Sequence, residues 1–278
     1  MPPAEGGGME IYMPKVSVIM GVYNCKNFEL LDKSIKSIIG QSFSDFEFII
    51  CNDGSTNDSL KHLKKYELLD KRIRILSYEQ NRGLSYALNY CLQYASGKYI
   101  ARQDDDDISK PDRFIKQVDF LDNNMQYSIV GTLADVFDDN GIWGKYSNPE
   151  IPKKNDFYWN SPFMHPTVMI KKSAYNKVGG YRIAKETRRC EDIDLFMRMY
   201  AAGYLGYNIQ EQLYLYRLVN EPNVKYRKMK YRIDEAIVKY KGYRAMGNLK
   251  GALPYVLKPI LVGLVPQRIL YSIKKRRY

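Results

Sequence analysis

The patterned part of the chain opens with VSVIMGV at positions 16–22, a short β-branched apolar run of the kind that forms a buried parallel strand. Behind a polar turn at Tyr23 and Asn24, Leu30, Leu31, Ile35, Ile38 and Ile39 recur at helical spacing, and Gly40 stands where a C-terminal cap belongs. A second apolar run, FEFIIC at 46–51, stops abruptly at Asn52-Asp53-Gly54-Ser55. The alternation then predicts a helix over 58–69, a strand over 73–76, a helix over 84–94 and a strand over 98–101. Strand and helix in strict turn predict a doubly wound α/β sheet, whose ligands bind beyond the C-terminal ends of the strands. After Pro111 the rhythm loosens: a helix over 112–123, extended chain over 127–143, a helix over 193–202 and a strand over 213–217. No convincing linker marks a boundary before residue 220. The division expected is 1–13 as a loose N-terminal segment, 14–220 as one catalytic domain (14–110 nucleotide-binding, 111–220 acceptor-binding) and 221–278 as a basic helical C-terminal region.

Charge changes this picture once it is located. The net +12 of the 278 residues belongs to 221–278, which hold 15 Lys and Arg against three acids; the body is balanced at 28 and 28. A neutral body argues against a nucleic-acid-binding groove. Cys25, Cys51, Cys91 and Cys190 are widely spaced, without a CxxC pair, and read as reduced thiols of a cytoplasmic protein. The first 13 residues lack the basic-then-apolar order of a secretory signal, and no stretch reaches the roughly 18 apolar residues of a spanning helix.

The candidate chemistry follows the strands. Asp104, Asp105, Asp106 and Asp107 stand in a row after the strand at 98–101. Four adjacent carboxylates either stay solvated or are relieved by a divalent cation such as Mg²⁺ or Mn²⁺, completed by a substrate's phosphates. Asp53, after another strand, reads equally as turn chemistry. Glu191 and Asp192 open the helix near Ile193, where acids complement the positive helix end with or without a catalytic task. His165 lies between Pro162 and Pro166 in a loop, either as a pocket residue or as a hydrogen bonder that holds the loop; His62, on a charged helix, is expected at the surface. Trp143, Trp159 and Tyr181 are candidates to stack on sugar faces, with core packing as the alternative. The basic stretch 181–190, with Arg182, Lys185, Arg188 and Arg189, is placed to close over phosphates as a mobile loop.

Five ordered motifs carry a resemblance: VSVIMGVYN at 16–24, NDGSTND at 52–58, NRGLSYALN at 81–89, YIARQDDDDIS at 99–109 and CEDIDLFMR at 190–198. Across roughly 15–220 the sequence resembles family 2 glycosyltransferases of the GT-A fold, bacterial polysaccharide-biosynthesis type. The resemblance implies a Rossmann-like nucleotide-diphospho-sugar transferase, and an inverting, metal-dependent transfer of a hexose or N-acetylhexosamine, with UDP as the nucleotide, to a saccharide acceptor. It implies that Asp53 contacts the donor's base, with Val22 and Tyr23 bordering that pocket and Arg82 assisting. Asp104 would lie near the ribose, Asp106 would hold Mn²⁺ or Mg²⁺ with Asp104, and Asp105 stands where the family often has a small residue. Asp192 would be the general base, with Glu191 close to the acceptor; His165 and Trp159 are candidate acceptor or phosphate contacts. A nucleotidyltransferase on the same fold would need an early Gly-rich triphosphate loop with a following Lys, which is absent.

Residues 253–278 mix apolar groups with bases and are expected to be interrupted by Pro254, Pro259 and Pro266. Leu261, Val262, Leu264, Ile269 and Ile273 suit an acyl boundary while Lys274, Lys275, Arg276 and Arg277 suit anionic headgroups. The expectation is a peripheral protein at the inner face of the cell membrane, acting on a lipid-linked acceptor.

Overall fold

In the computed structural model, which describes residues 13–219 and 227–266, every strand and helix expected before Pro111 is present. β1 (Val16–Val22), α1 (Phe28–Ile39), β2 (Phe46–Asp53), α2 (Ser59–Leu69), β3 (Ile73–Tyr78), α3 (Leu84–Tyr94) and β4 (Tyr99–Arg102) follow one another. Beyond them come β5 (Ile108–Ser109), α4 (Arg113–Asn123), β6 (Tyr127–Asp138), β7 (Gly141–Tyr146), β8 (Met169–Lys171), α5 (Lys172–Val178), α6 (Glu191–Ala201), β9 (Leu205–Arg217), α7 (Met229–Met246) and α8 (Leu249–Leu264). Among the described residues the strands form one sheet in the order β3-β2-β1-β4-β8-β6-β9-β5, with β7 paired to β6. The β3-β2-β1-β4 half is parallel; β8 then pairs antiparallel with both β4 and β6, so the second half is mixed.

The period-two alternation of the strands sorts the core into two layers. Val18 and Met20 of β1 and Phe48 and Ile50 of β2 face α1, α2 and α4, through Leu31, Ile35, Leu63, Phe114 and Val118. Ile19, Ile49 and Cys51 face the other way, onto Ala87, Leu88 and Cys91 of α3, in a layer shared with α5, α6, α7 and α8. That second layer includes Ala236, Tyr243, Met246, Ala252 and Val256, so the C-terminal hairpin contributes to the same core.

Three expectations are corrected. The strand expected at 213–217 is the end of the 13-residue β9, whose polar Asn208, Gln210, Glu211 and Gln212 hid its first half. His62 is not a surface residue: its ring stacks on Phe28 at 4.6 Å and its Nε2 lies 2.5 Å from Asp32 Oδ1. Pro254 and Pro259 do not interrupt the chain but lie inside α8. Residues 267–278, including the basic cluster at 274–277, lie outside the described residues.

What positions the site is a set of polar ties between these layers. Arg182 donates to Asp194 Oδ1 (2.9 Å) and Glu186 (2.8 Å), and Arg198 donates to Asp194 Oδ2 (2.7 Å). Arg198 also reaches the carbonyls of Val178 and Gly180, and Lys241 of α7 reaches Glu186 at 2.7 Å. Asn89 of α3 pairs with both the N–H and the carbonyl of Tyr181, at 2.8 and 2.7 Å. The loop from Gly179 to Cys190 is thereby tied to α3, α6 and α7. All four cysteines are free thiols.

Two expected outcomes test these ties. Asp194 is 5% exposed, and Asp194→Asn leaves two guanidiniums sharing a neutral amide; unfolding in urea should show a loss of about 3 kcal/mol. Gly54 has φ +61, and a Cβ there would stand 2.4 Å from the Asn81 nitrogen. Gly54→Ala should therefore lower stability by at least about 1–2 kcal/mol in the same titration, since the left-handed backbone alone costs that much.

Candidate active site

The turns that leave β1, β2 and β3 meet at one edge of the sheet and are sewn together. Asn24, at φ 45, a conformation Asn tolerates, donates its N–H to Ser55 Oγ (2.9 Å) and accepts from the Thr56 N–H (2.8 Å) through its side chain. Val22 is buried and Tyr23 is half-exposed beside it. Asp53 is 3% exposed, and its carboxylate accepts four hydrogen bonds: Tyr78 Oη (2.7 Å) and the Arg82 N–H (2.8 Å) on Oδ1, the Asn81 amide (2.8 Å) and the Gly83 N–H (2.9 Å) on Oδ2. This carboxylate shapes the Asn81–Gly83 turn that starts α3 and sets Arg82 at the surface, its guanidinium over the Tyr86 ring.

β4 delivers the acidic run to the same edge. Asp104 is bonded to the fully buried Arg102, and its carbonyl accepts from Ser34 Oγ at 2.7 Å. Arg113, also buried, donates to Gln103, Ser109 and the Arg102 carbonyl, and burial lowers its pKa to about 10. Asp107 turns inward: its Oδ1 accepts the Arg217 N–H at 2.7 Å, joining the run to β9. Asp105 and Asp106 remain at the surface side. Burial, then the charges of Asp106 and Asp104, push Asp105 up to about 7. Asp106, open to solvent yet crowded by the chain around it, is raised to about 6 by desolvation first and then by Asp104. Among the described residues, no three His, Cys, Asp or Glu side chains are grouped to hold a metal ion unaided. The pair Asp104 and Asp106 does fit a cation that takes its remaining ligands from phosphate and water: Asp106 is exposed and crowded by the charge of Asp104, and Asp104, whose Oδ1 goes to Arg102, has a second carboxylate oxygen.

Facing this edge, Cys190 precedes α6, whose first turn carries Glu191, Asp192 and Asp194. Glu191 lines a cleft of about 660 Å³ together with Asn81, Arg82, Gly83, Leu84, Ser85, Ile183, Ala184, Lys185, Thr187, Arg188, Arg189 and Tyr231. Four cations and one carboxylate on its walls suit an anionic ligand. Burial, and then the charge of Asp192, raises Glu191 to about 7; Asp192 is raised as well, by burial first, with Arg227 acting in the opposite sense. Glu191 on the wall of this cationic cleft and Asp192 beside it in the chain are both held high, which is the condition a proton-transfer group needs near neutral pH.

The remaining candidates lie around the cleft or away from it. His165 is half-buried, bonded through Nε2 to Tyr181 Oη (2.8 Å), which in turn meets Tyr175 Oη (3.2 Å); burial, with Arg102 adding to it, lowers His165 well below its usual range and keeps it neutral. Tyr181 is core and Trp143 donates to the Leu218 carbonyl. Trp159 is exposed, against Tyr255 and Lys258 of α8. Sequence reasoning missed Tyr231, which reaches the cleft from α7 and stacks under Arg189, and Arg227, which holds the Arg189 carbonyl and pairs with Glu235. Both lie beyond the last recognisable motif, Arg227 just before α7 and Tyr231 in its first turn, and neither position carries a sequence signal for the cleft.

Comparison with known proteins gives the family and the fold. Residues 17–184 match the family Glycosyl transferase family 2. EpsE of Bacillus subtilis (strain 168), a glycosyltransferase by name, is 41% identical over 265 residues, covering 95% of this chain and 94% of that protein. The Escherichia coli UDP-Gal:alpha-D-GlcNAc-diphosphoundecaprenol beta-1,3-galactosyltransferase is 31% identical over 240 residues, covering 84% of each. Among solved structures, S. aureus TarS 1-349 in complex with UDP-GlcNAc superposes with a TM-score of 0.70 at 15% identity, over 94% of this chain and 79% of that one. Mannosyltransferase PcManGT from Pyrobaculum calidifontis, in complex with GDP-Man and Mn²⁺, gives 0.58 at 15% identity, over 96% and 81%. The matched span exceeds half the chain, relatives align along nearly all of it, and the fold is that of GT-A transferases: the protein is a glycosyltransferase and belongs to glycosyl transferase family 2.

Proposed function

We propose that this protein transfers a hexose or N-acetylhexosamine, with inversion, from a UDP-sugar to a lipid-linked saccharide acceptor in surface polysaccharide biosynthesis. The observation that carries this reading is that Glu191, the chain neighbour of Asp192 in the first turn of α6, lines a cleft walled by Arg82, Lys185, Arg188 and Arg189. Cations suit a donor diphosphate, and a carboxylate at their edge suits an acceptor hydroxyl that must lose its proton. The names of the relatives support the substrate class: UDP-Gal and a diphosphoundecaprenol-linked sugar for the E. coli enzyme, UDP-GlcNAc in the TarS complex.

In this reading Asp192 takes the proton from the acceptor hydroxyl. The freed oxygen pair forms a bond to the anomeric carbon from the face opposite the diphosphate, the bond from that carbon to phosphate oxygen breaks, and its electron pair leaves with UDP. One displacement inverts the centre. Glu191 contacts the acceptor, and Arg82, Lys185, Arg188 and Arg189 hold the diphosphate. Asp53 acts by fixing the Asn81–Gly83 turn beside the base, with Val22 and Tyr23 as the pocket's border and Asp104 toward the ribose. Asp104 and Asp106 are the residues to hold Mg²⁺ or Mn²⁺, which when bound neutralises charge building on the departing diphosphate.

Calorimetry with UDP, dTDP, GDP and CMP tests the donor: UDP should bind tightly only with Mn²⁺ present, and tighter GDP binding would overturn the assignment. Asp106→Ala should abolish that metal dependence by weakening binding about tenfold or more, as loss of a metal ligand does. Asp192→Asn should cut kcat by about 10²–10⁴-fold while leaving UDP affinity unchanged. Because the base works deprotonated and burial raises the carboxyls of both Asp192 and Glu191, kcat should rise with pH and level off above the range of an ordinary carboxylate, instead of levelling near 4. A profile flat from pH 5 upward would remove this pair from the proton transfer.

A further inference from the structure

The α7–α8 hairpin has two faces. Inward, Ala236, Tyr243 and Met246 of α7 and Ala252 and Val256 of α8 enter the core. Outward, α8 carries Leu253, Leu257, Leu261 and Leu264, which are 52, 56, 58 and 70% exposed and share one face by their spacing. On α7, Ile233, Ile237 and Tyr240 form a second exposed row. Seven large apolar side chains open to solvent on one hairpin amount to an interaction surface, where scattered single ones would not. Bases accompany them. Residues 227–266 hold nine Lys and Arg against Asp234 and Glu235, with Arg244 and Lys250 exposed at the hairpin's turn, and the sequence of 267–278 adds five more and no acid.

We propose that this outer face is a docking surface for an anionic lipid bilayer, with the leucine row entering the acyl boundary and the surrounding bases meeting the headgroups. Charge decides between the two occupants an apolar face can have. A second copy would bring the same excess of positive charge against this one, whereas an anionic lipid surface complements it. No helix among the described residues is long and apolar enough to span a membrane, so the contact is peripheral. The two helices of the hairpin pack closely, and α7 also supplies a cleft residue. Gly263 of α8 lies so close to Met229 and Arg232 that a Cβ there would be 2.7 and 2.6 Å from their side chains, and Tyr231, between those two residues, lines the cleft. A bilayer on the hairpin would thus hold the same helix pair that lends Tyr231 to the cleft, the side from which a lipid-linked acceptor would be supplied. That purpose rests on the acceptor reading above; the contact itself does not.

The test is co-sedimentation of the full chain with vesicles of phosphatidylglycerol and phosphatidylcholine, against vesicles of phosphatidylcholine alone. The wild type should sediment with the anionic vesicles and be released by salt, and the double variant Leu257→Glu, Leu261→Glu should lose about tenfold or more of its partitioning. Unchanged circular dichroism and UDP binding would show that the variant is folded, and they read the donor site independently of the membrane. Arg244→Glu with Lys250→Glu should lower binding to the anionic vesicles specifically. Equal sedimentation of wild type and leucine variant, or no sedimentation of the wild type, overturns the proposal. Light scattering that shows a wild-type dimer converted to monomer by the leucine variant overturns it in favour of a second copy.

Discussion

A single carboxylate between two guanidiniums organises the active end of this molecule. Asp194, almost wholly buried, receives Arg182 from the loop at 179–190 and Arg198 from its own helix, and Arg198 goes on to hold the carbonyls of Val178 and Gly180. Each buried charge is tolerable only because the others are present. The consequence is geometric: α6 cannot shift against the cationic loop without breaking these bonds. The separation between Glu191 and Asp192 on one side and Lys185, Arg188 and Arg189 on the other is therefore set by a salt-bridge network two residues away. Glu186 extends the network to Lys241, so α7 is held by the same device. A loop that its composition alone marks as a mobile cover is anchored at both ends, and at Thr187 in its middle, which donates to the Arg182 carbonyl.

The acidic edge of the sheet is governed by desolvation and pairing. Asp53 spends its carboxylate on the Asn81–Gly83 turn, and Asp107 spends one oxygen on the β9 backbone. Arg102 neutralises Asp104. What remains, Asp105 and Asp106, is short of positive charge. The run of four is thus divided by its partners: Asp107 turns inward onto β9, Asp104 gives one oxygen to Arg102, and Asp105 and Asp106 stay on the surface side. The same principle silences His165, which burial and Arg102 keep neutral and bound to Tyr181.

Periodicity carried the reading of the first hundred residues because each element there buries one clean face: Ile19, Ile49 and Cys51 on one side of the sheet, Val18, Met20, Phe48 and Ile50 on the other. It failed on β9, whose first half is rich in amides. Asn208 donates to the carbonyls of Pro149 and Pro162, so a polar residue sits buried in a strand because partners from distant chain satisfy it. It was blind to Tyr231 as a cleft residue, since nothing in a helical repeat says which loop the helix will meet.

By itself the sequence determined the doubly wound half of the sheet, the strand ends at which polar turns gather, the residues with acid, base or metal-holding chemistry, and the concentration of positive charge in the last sixty residues. Local hydrophobic spacing and side-chain chemistry suffice for these. Tertiary structure alone decided which aspartates keep a free oxygen, that Asp53 shapes a turn, that the basic loop is anchored through Asp194, and that the C-terminal hairpin turns a leucine row outward while lending Tyr231 to the cleft. Those outcomes depend on burial and on partners from other elements of the fold, and desolvation and pairing are properties of a neighbourhood that the linear chain does not contain.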